Sequence, residues 1–176
     1  MDGNDASLFE QVADAKARNP GSEVWVSIGG WAFNDIGYVT SPLSAGRESE
    51  GTHTFPWAAS STRTRPLFSE IASSLSNSVV FGARLYDFVH HYGFDGVDID
   101  WEYPVAPERS GRPADYQNYP VFLRNLRSAF QAAGKNWGVT ITLPSSFWYL
   151  QHFDIVKLEP VVDWFNMMGM LFRCQS

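Results

Sequence analysis

The chain has 176 residues, 44% of them hydrophobic and 18% charged, a composition that fits about one folded domain and argues against disorder. Its 19 acidic and 13 basic side chains leave a net charge of −6, with no basic cluster to track a phosphate backbone, so nucleic acid is not an expected partner. No run of about 18 apolar residues suggests a membrane partner, and the acidic opening Met1-Asp2-Gly3-Asn4-Asp5 lacks the basic and apolar regions of a secretory signal peptide.

The elements follow from hydrophobic period and punctuation. Leu8, Val12 and Ala15 recur at helical spacing between Ser7 and Arg18, and Asn19-Pro20-Gly21 ends the run. Glu23 to Ile28 reads as a buried strand closed by Gly29-Gly30. From Trp31 to Arg65 the sequence is rich in Ser, Thr, Gly, Pro and Arg without an apolar period, and is far longer than the roughly 12–15 residues of an ordinary loop. Helices are expected over 66–75 and 78–92, the second presenting Phe81, Leu85, Phe88, Val89 and Tyr92 on one face and stopping at Gly93.

A second strand runs from Phe94 to Trp101, then a helix from about Asn118 to Ala133, with Pro120 in its first turn. Gly138 to Leu143 is a third strand, 150–158 a short helical or turn segment, and Val161 to Met168 a fourth strand. Repeated βα units imply an α/β fold with a parallel sheet, either doubly wound or a (β/α) barrel; periodicity does not choose between them.

The chemistry concentrates in Asp95-Gly96-Val97-Asp98-Ile99-Asp100-Trp101-Glu102. Along a strand, side chains alternate, so Asp98, Asp100 and Glu102 share one face while Val97, Ile99 and Trp101 take the other. Trp101 is therefore expected to pack rather than to bind. In a barrel the acids point inward, with Glu102 at the C-terminal mouth, where such barrels hold their active sites. Carboxylates about 6–7 Å apart in a poorly solvated interior cannot all ionise cheaply, so at least one should keep a proton near neutrality. A protonated acid beside an ionised one is what glycosidic cleavage requires. The blander readings, an exposed acidic face or a carboxylate cation site, explain less well why an acid-only face would line a sheet interior.

This acidic motif resembles the fourth-strand signature of family 18 glycoside hydrolases, and Val26-Ser27-Ile28-Gly29-Gly30-Trp31 is similar to that family's third-strand Ser-x-Gly-Gly motif. Trp101-Glu102-Tyr103-Pro104 and Tyr149-Leu150-Gln151-His152-Phe153-Asp154 are similar to fungal chitinases of the family. The resemblance covers the chain except an atypical insert at 36–63 and a divergent tail at 169–176. It implies one partial catalytic domain over 1–176, a partial TIM (β/α)8 barrel with strands three to six, acting on chitin or chito-oligosaccharide without metal or cofactor, and extracellular as the family is.

By the same resemblance Glu102 protonates the glycosidic oxygen, and Asp100 turns the substrate's N-acetyl group so that its carbonyl oxygen attacks the anomeric carbon. Asp98 shares a proton with Asp100. Asp95 and Ser27 brace the base of the site, with Gly29 and Gly30 behind it. Trp31, Tyr103 and Met168 line the sugar. His90, His91 and His152 have no acid at triad spacing and are expected to be solvated or locally bonded, Met167 and Met168 have an equally good core reading, and Cys174 is an incidental thiol.

The family's sixth strand usually continues Met-x-Tyr-Asp, the Tyr donating to the N-acetyl carbonyl; here Gly169-Met170-Leu171 follow Met168. A truncated or mis-spliced product is expected, with translated intron in the insert and tail, low independent stability because four strands leave two open edges, and impaired activity. A chitin-binding lectin that has lost catalysis and an endo-β-N-acetylglucosaminidase are the alternative functions. Retention of Glu102 favours an enzyme over the lectin.

Overall fold

A computed structural model describes residues 3–34 and 67–169 of the chain. The atypical insert, Cys174 and the tail beyond Gly169 lie outside these residues. In chain order the elements are α1 (Gly3–Arg18), β1 (Trp25–Gly29), a 3-10 turn (Trp31–Asn34), α2 (Leu67–Ser73), α3 (Leu75–Tyr92), β2 (Gly96–Asp100), a 3-10 turn (Pro107–Arg109), α4 (Asp115–Ala132), β3 (Gly138–Pro144), α5 (Phe147–Leu150), α6 (Ile155–Leu158), a 3-10 turn (Glu159–Val161) and β4 (Phe165–Met168).

The four strands are parallel and lie in sequence order, β1-β2-β3-β4. A doubly wound sheet reverses its order at a switch point and carries helices on both faces; here α2, α3 and α4 cover one face, packed on Val97, Ile99, Val139 and Ile141, all fully buried. The sheet is thus an arc of a (β/α) barrel, which settles the alternative that periodicity left open.

Alternation of side chains builds both faces. Val97, Ile99 and Trp101 point to the helices, where Phe122, Leu123, Leu126 and Phe130 of α4 meet them. Trp101, 2% exposed, stacks on Phe68 at 5.5 Å and meets Tyr119 edge-on at 4.9 Å, a packing residue as its parity requires. On the inner face the lowest layer is aromatic. The Trp25 indole lies across Gly96 and Gly138, so close that a Cβ on either would fall 2.4 or 1.8 Å from the ring, and Trp164 packs on it at 4.6 Å.

Helix C-termini follow their sequence signals, whereas the starts come earlier than expected, α1 at Gly3 rather than near Ser7 and α3 at Leu75 rather than Ser78. Ser74 caps α3 by accepting from Asn77 N at 3.1 Å, and Gly93 ends it in the left-handed conformation at φ 70°. Helix α4 starts at Asp115, three residues before its expected start, so Pro120 sits in the second turn rather than the first and the Tyr116 carbonyl loses its helical donor. The fourth strand is shorter than expected: Val161 belongs to the turn Glu159–Val161, and the strand begins only at Phe165.

Asp95 departs from its expected role. Its spacing of three from Asp98 breaks the strand parity that the other acids share, and it sits at the N-terminal end of β2, away from Glu102. There it accepts from Val24 N at 2.8 Å and Lys16 Nζ at 2.6 Å, while its own N–H donates to Val24 O at 2.9 Å. It ties α1 and β1 to β2 and does not brace the site with Ser27. Asp95→Ala should lower unfolding stability by about 1–3 kcal/mol, the usual cost of orphaning such donors, with β2–β3 amide exchange slowed or quickened no more than global stability dictates; urea titration with hydrogen exchange checks both.

Candidate active site

The layer above the tryptophans is organised by one carboxylate. Asp98 accepts four hydrogen bonds: Oδ1 from Thr140 Oγ1 at 2.8 Å and Asn166 Nδ2 at 2.9 Å, Oδ2 from Ser27 Oγ at 2.9 Å and Thr142 Oγ1 at 2.8 Å. An ionised carboxylate has about four lone-pair sites, and four donors fill them. Ser27 therefore does support the site from below, through Asp98. Through these contacts Asp98 engages β1, β3 and β4 at once.

Asp100 stands one layer higher. Burial, then the negative charges of Glu102 and Asp98, raise its carboxyl from the ordinary 3.8 to about 6. Its Oδ1 is buried and, among the described residues, accepts no hydrogen bond. Glycine is required beside it: Gly29 has φ 128°, and a Cβ there would fall 1.9 Å from the Asp100 carbonyl oxygen. Gly30 N donates to that same oxygen at 2.8 Å. The pair of glycines lets β1 close onto the end of β2 at the level of the acid.

Glu102, buried just past the end of β2, lies at the C-terminal mouth with the 3-10 turn at Trp31 on one side and α5 on the other. The Tyr103 hydroxyl donates to its carboxylate, and burial together with the Glu102 charge holds that phenol well above its usual range. Tyr103 stacks on Tyr149 at 4.0 Å and meets Trp31 edge-on at 6.5 Å, forming an aromatic wall. Trp31 is 53% exposed, open to a ligand. Met168 is half-buried at the end of β4, on the same face as Asn166 and opposite Pro144 of β3, while Met167 is exposed.

The arrangement brings together Glu102, Asp100, Asp98, Ser27, Gly29, Gly30, Tyr103 and Trp31. It adds Thr140, Thr142 and Asn166 to Asp98, Tyr149 to the wall and Arg109 beneath it. Thr140 and Thr142 carried a legible signal, since they share inward parity between Val139, Ile141 and Leu143. His90 stacks on Tyr86 at 5.7 Å and His91 lies edge-on to Tyr92 at 4.6 Å, both away from the acids. Among the described residues no cluster of His, Cys, Asp and Glu is arranged to hold a metal ion. Two acids one layer apart at a barrel mouth can divide the work of glycosidic cleavage, one transferring a proton to a leaving oxygen and the other holding negative charge against a developing cation.

The model of glycosyl hydrolases family 18 matches residues 1–175, and the chain belongs to that family. Chitinase A1 of Niallia circulans is 30% identical over 170 residues, 93% of this chain and 20% of that protein. The killer toxin subunits alpha/beta of Kluyveromyces lactis are 35% identical over 168 residues, 93% of this chain and 12% of that protein. Among solved structures, the multi-modular chitinase ChiW of a Paenibacillus strain superposes with a TM-score of 0.69 at 25% identity, covering 93% of this chain and 12% of that one. The chain thus spans a fifth or less of these relatives and supplies an arc of the family's barrel.

Because Asp100 keeps its proton to about pH 6 when folded but only to about 3.8 when unfolded, the native state binds that proton more tightly. Stability falls as pH rises through this window, the contribution being present below the lower value and lost above the upper. Asp100→Asn should therefore raise the thermal midpoint at pH 8 relative to the parent and change it little at pH 4. Equal shifts at both pH values contradict the raised carboxyl.

Proposed function

We propose that this arc carries the acid and its electrostatic partner for hydrolysis of β-1,4-linked N-acetylglucosamine polymers, with chitin or chito-oligosaccharide as substrate, by a substrate-assisted, retaining route. The observation that carries it is Asp100: a carboxyl raised to about 6 with a buried oxygen lacking a partner among the described residues, one layer below Glu102. That oxygen is an acceptor for an amide N–H, which an N-acetyl sugar presents and a plain glucan does not.

In this reading Glu102 gives its proton to the glycosidic oxygen as the bond to the anomeric carbon breaks. Asp100 holds the acetamide N–H, so that the carbonyl oxygen of the same sugar forms the new bond to that carbon and the positive charge is shared onto nitrogen. Water, deprotonated by Glu102, then attacks from the leaving-group side, which restores the configuration and returns the proton. No protein nucleophile is used, in line with family 18 standing outside the two-carboxylate scheme. Trp31 offers an apolar surface for the sugar, backed by the buried Tyr103 and with Met168 at the edge. Relatives named as chitinases, one of them called secreted, support this substrate and an extracellular setting.

Glu102→Gln should reduce turnover of a fluorogenic chito-oligosaccharide by about 10²–10⁴-fold, the range for losing a general acid, with circular dichroism unchanged. Equal activity in the variant would dismiss Glu102 as the acid. Cleavage of a high-mannose glycopeptide in preference to chitin oligomers would move the substrate to glycoprotein glycans.

We also propose that turnover by residues 1–176 is impaired, because Met170 and Leu171 stand where the family's Tyr and Asp follow the methionine. Met170→Tyr with Leu171→Asp should raise kcat by about 10–10²-fold, approaching the worth of one donor to a developing charge; an unchanged kcat in the double variant counts against the missing donor.

A further inference from the structure

We propose that Arg109 is a positioning residue for the reaction, fixing Trp31 and the Glu102 peptide relative to each other so that a sugar on the aromatic wall is in register with the acid; this rests on the reading of the site given above.

The guanidinium is only 8% exposed and, among the described residues, has no carboxylate ion pair. A buried cation is costly unless its donors are used, and these donors converge on the site. Nε donates to Glu102 O at 3.1 Å and Nη2 to Trp31 O, while the plane lies 3.7 Å over the Trp31 indole. One side chain thus holds Trp31 by main chain and by ring, and Glu102 by its peptide. The final bond between β1 and β2 is Gly30 N to Asp100 O; Arg109 carries the connection past it to the residues that would touch substrate.

The loop that bears Arg109 is itself held in place. Arg109 N and Gly111 N both donate to Ala106 O, at 3.0 and 2.8 Å. Val105 and Ser110 adopt left-handed φ of 66° and 61°, which non-glycine residues keep only when their surroundings impose it. The imposing group is Asp115, 1% exposed, whose Oδ2 accepts from Arg112 N at 2.6 Å, Ser69 Oγ at 2.7 Å and Val105 N at 3.2 Å. The adjacent Glu108 accepts from the Tyr149 hydroxyl. The turn Pro107–Arg109 therefore grips both ends of the aromatic wall, Trp31 through Arg109 and Tyr149 through Glu108.

The test compares Arg109→Lys and Arg109→Met in wild-type and Trp31→Ala backgrounds. It measures kcat and KM on a fluorogenic chito-oligosaccharide, the Trp31 indole N–H resonance, and the thermal midpoint. Lysine keeps the charge but cannot lie flat on an indole while donating to two carbonyls. At a temperature where it is folded, Arg109→Lys should therefore lower kcat at least about tenfold, as a misplacement near 1 Å does, raise KM and shift the Trp31 indole resonance. In the Trp31→Ala background that penalty should shrink, because the contact with the ring is gone while the bonds to the carbonyls of residues 31 and 102 leave part of it in place. Kinetic constants within twofold of wild type in folded Arg109→Lys, an unmoved Trp31 resonance, or a full penalty without Trp31 overturns the proposal. Should both Arg109 variants unfold, Trp31→Ala, at an exposed position, decides: it must raise KM by itself, and an unchanged KM removes the platform Arg109 is said to set. Glu102→Gln runs as the control; full turnover there sinks the reading of the site, while the indole resonance continues to judge Arg109.

Discussion

Asp98 is the group on which the remainder of the inner face depends. Its two oxygens accept from Ser27 on β1, Thr140 and Thr142 on β3 and Asn166 on β4, so a single side chain on β2 reads the register of every strand in the sheet. A slip of one residue in any strand would turn its donor to the helix face and leave a buried acceptor unmatched. Backbone ladders alone tolerate such slips; a four-donor carboxylate does not. The acid-bearing strand is thereby placed before any substrate arrives.

The same saturation divides labour among the three acids. Asp98 is fully occupied by neutral donors, whereas Asp100 faces two negative neighbours with an oxygen unserved by the described residues. Burial and the like charges around it raise the Asp100 carboxyl, which can then hold a proton close to neutrality. Glu102, at the top, is linked to an aromatic wall rather than to hydroxyls. Three chemically identical groups at a period of two thus acquire different environments from the strands beside them, not from their own sequence.

Much of this could be read from the chain because a strand has a period of two. The inward face of Asp98, Asp100 and Glu102 and the packing role of Trp101 followed from parity, and the family's barrel from two motifs in order. Asp95 was misplaced because it belongs to the same signature but lies an odd number of residues from the other acids. Thr140 and Thr142 were legible by parity yet look like ordinary β-formers. Asn166 and Arg109 carry no local pattern: one acquires its meaning from a partner two strands away, the other from a loop whose left-handed residues are held by the side chain of Asp115 at the start of α4. The start of α4 was masked by Pro120, which reads as a first-turn residue but is accommodated one turn later.

The indole layer beneath the acids has a consequence for how the site keeps its electrostatics. Trp164 Nε1 donates to Asn166 Oδ1 at 3.1 Å, and the amide nitrogen of Asn166 faces Asp98; the ring below therefore dictates which way that amide points. Trp25 occupies the room that two missing side chains at Gly96 and Gly138 leave open. Hydrocarbon in that position lowers the permittivity directly below Asp98, which strengthens the hydrogen bonds its carboxylate accepts. Two absent methyl groups at the floor thus make room for the ring that fixes the layer on which Asp98 rests.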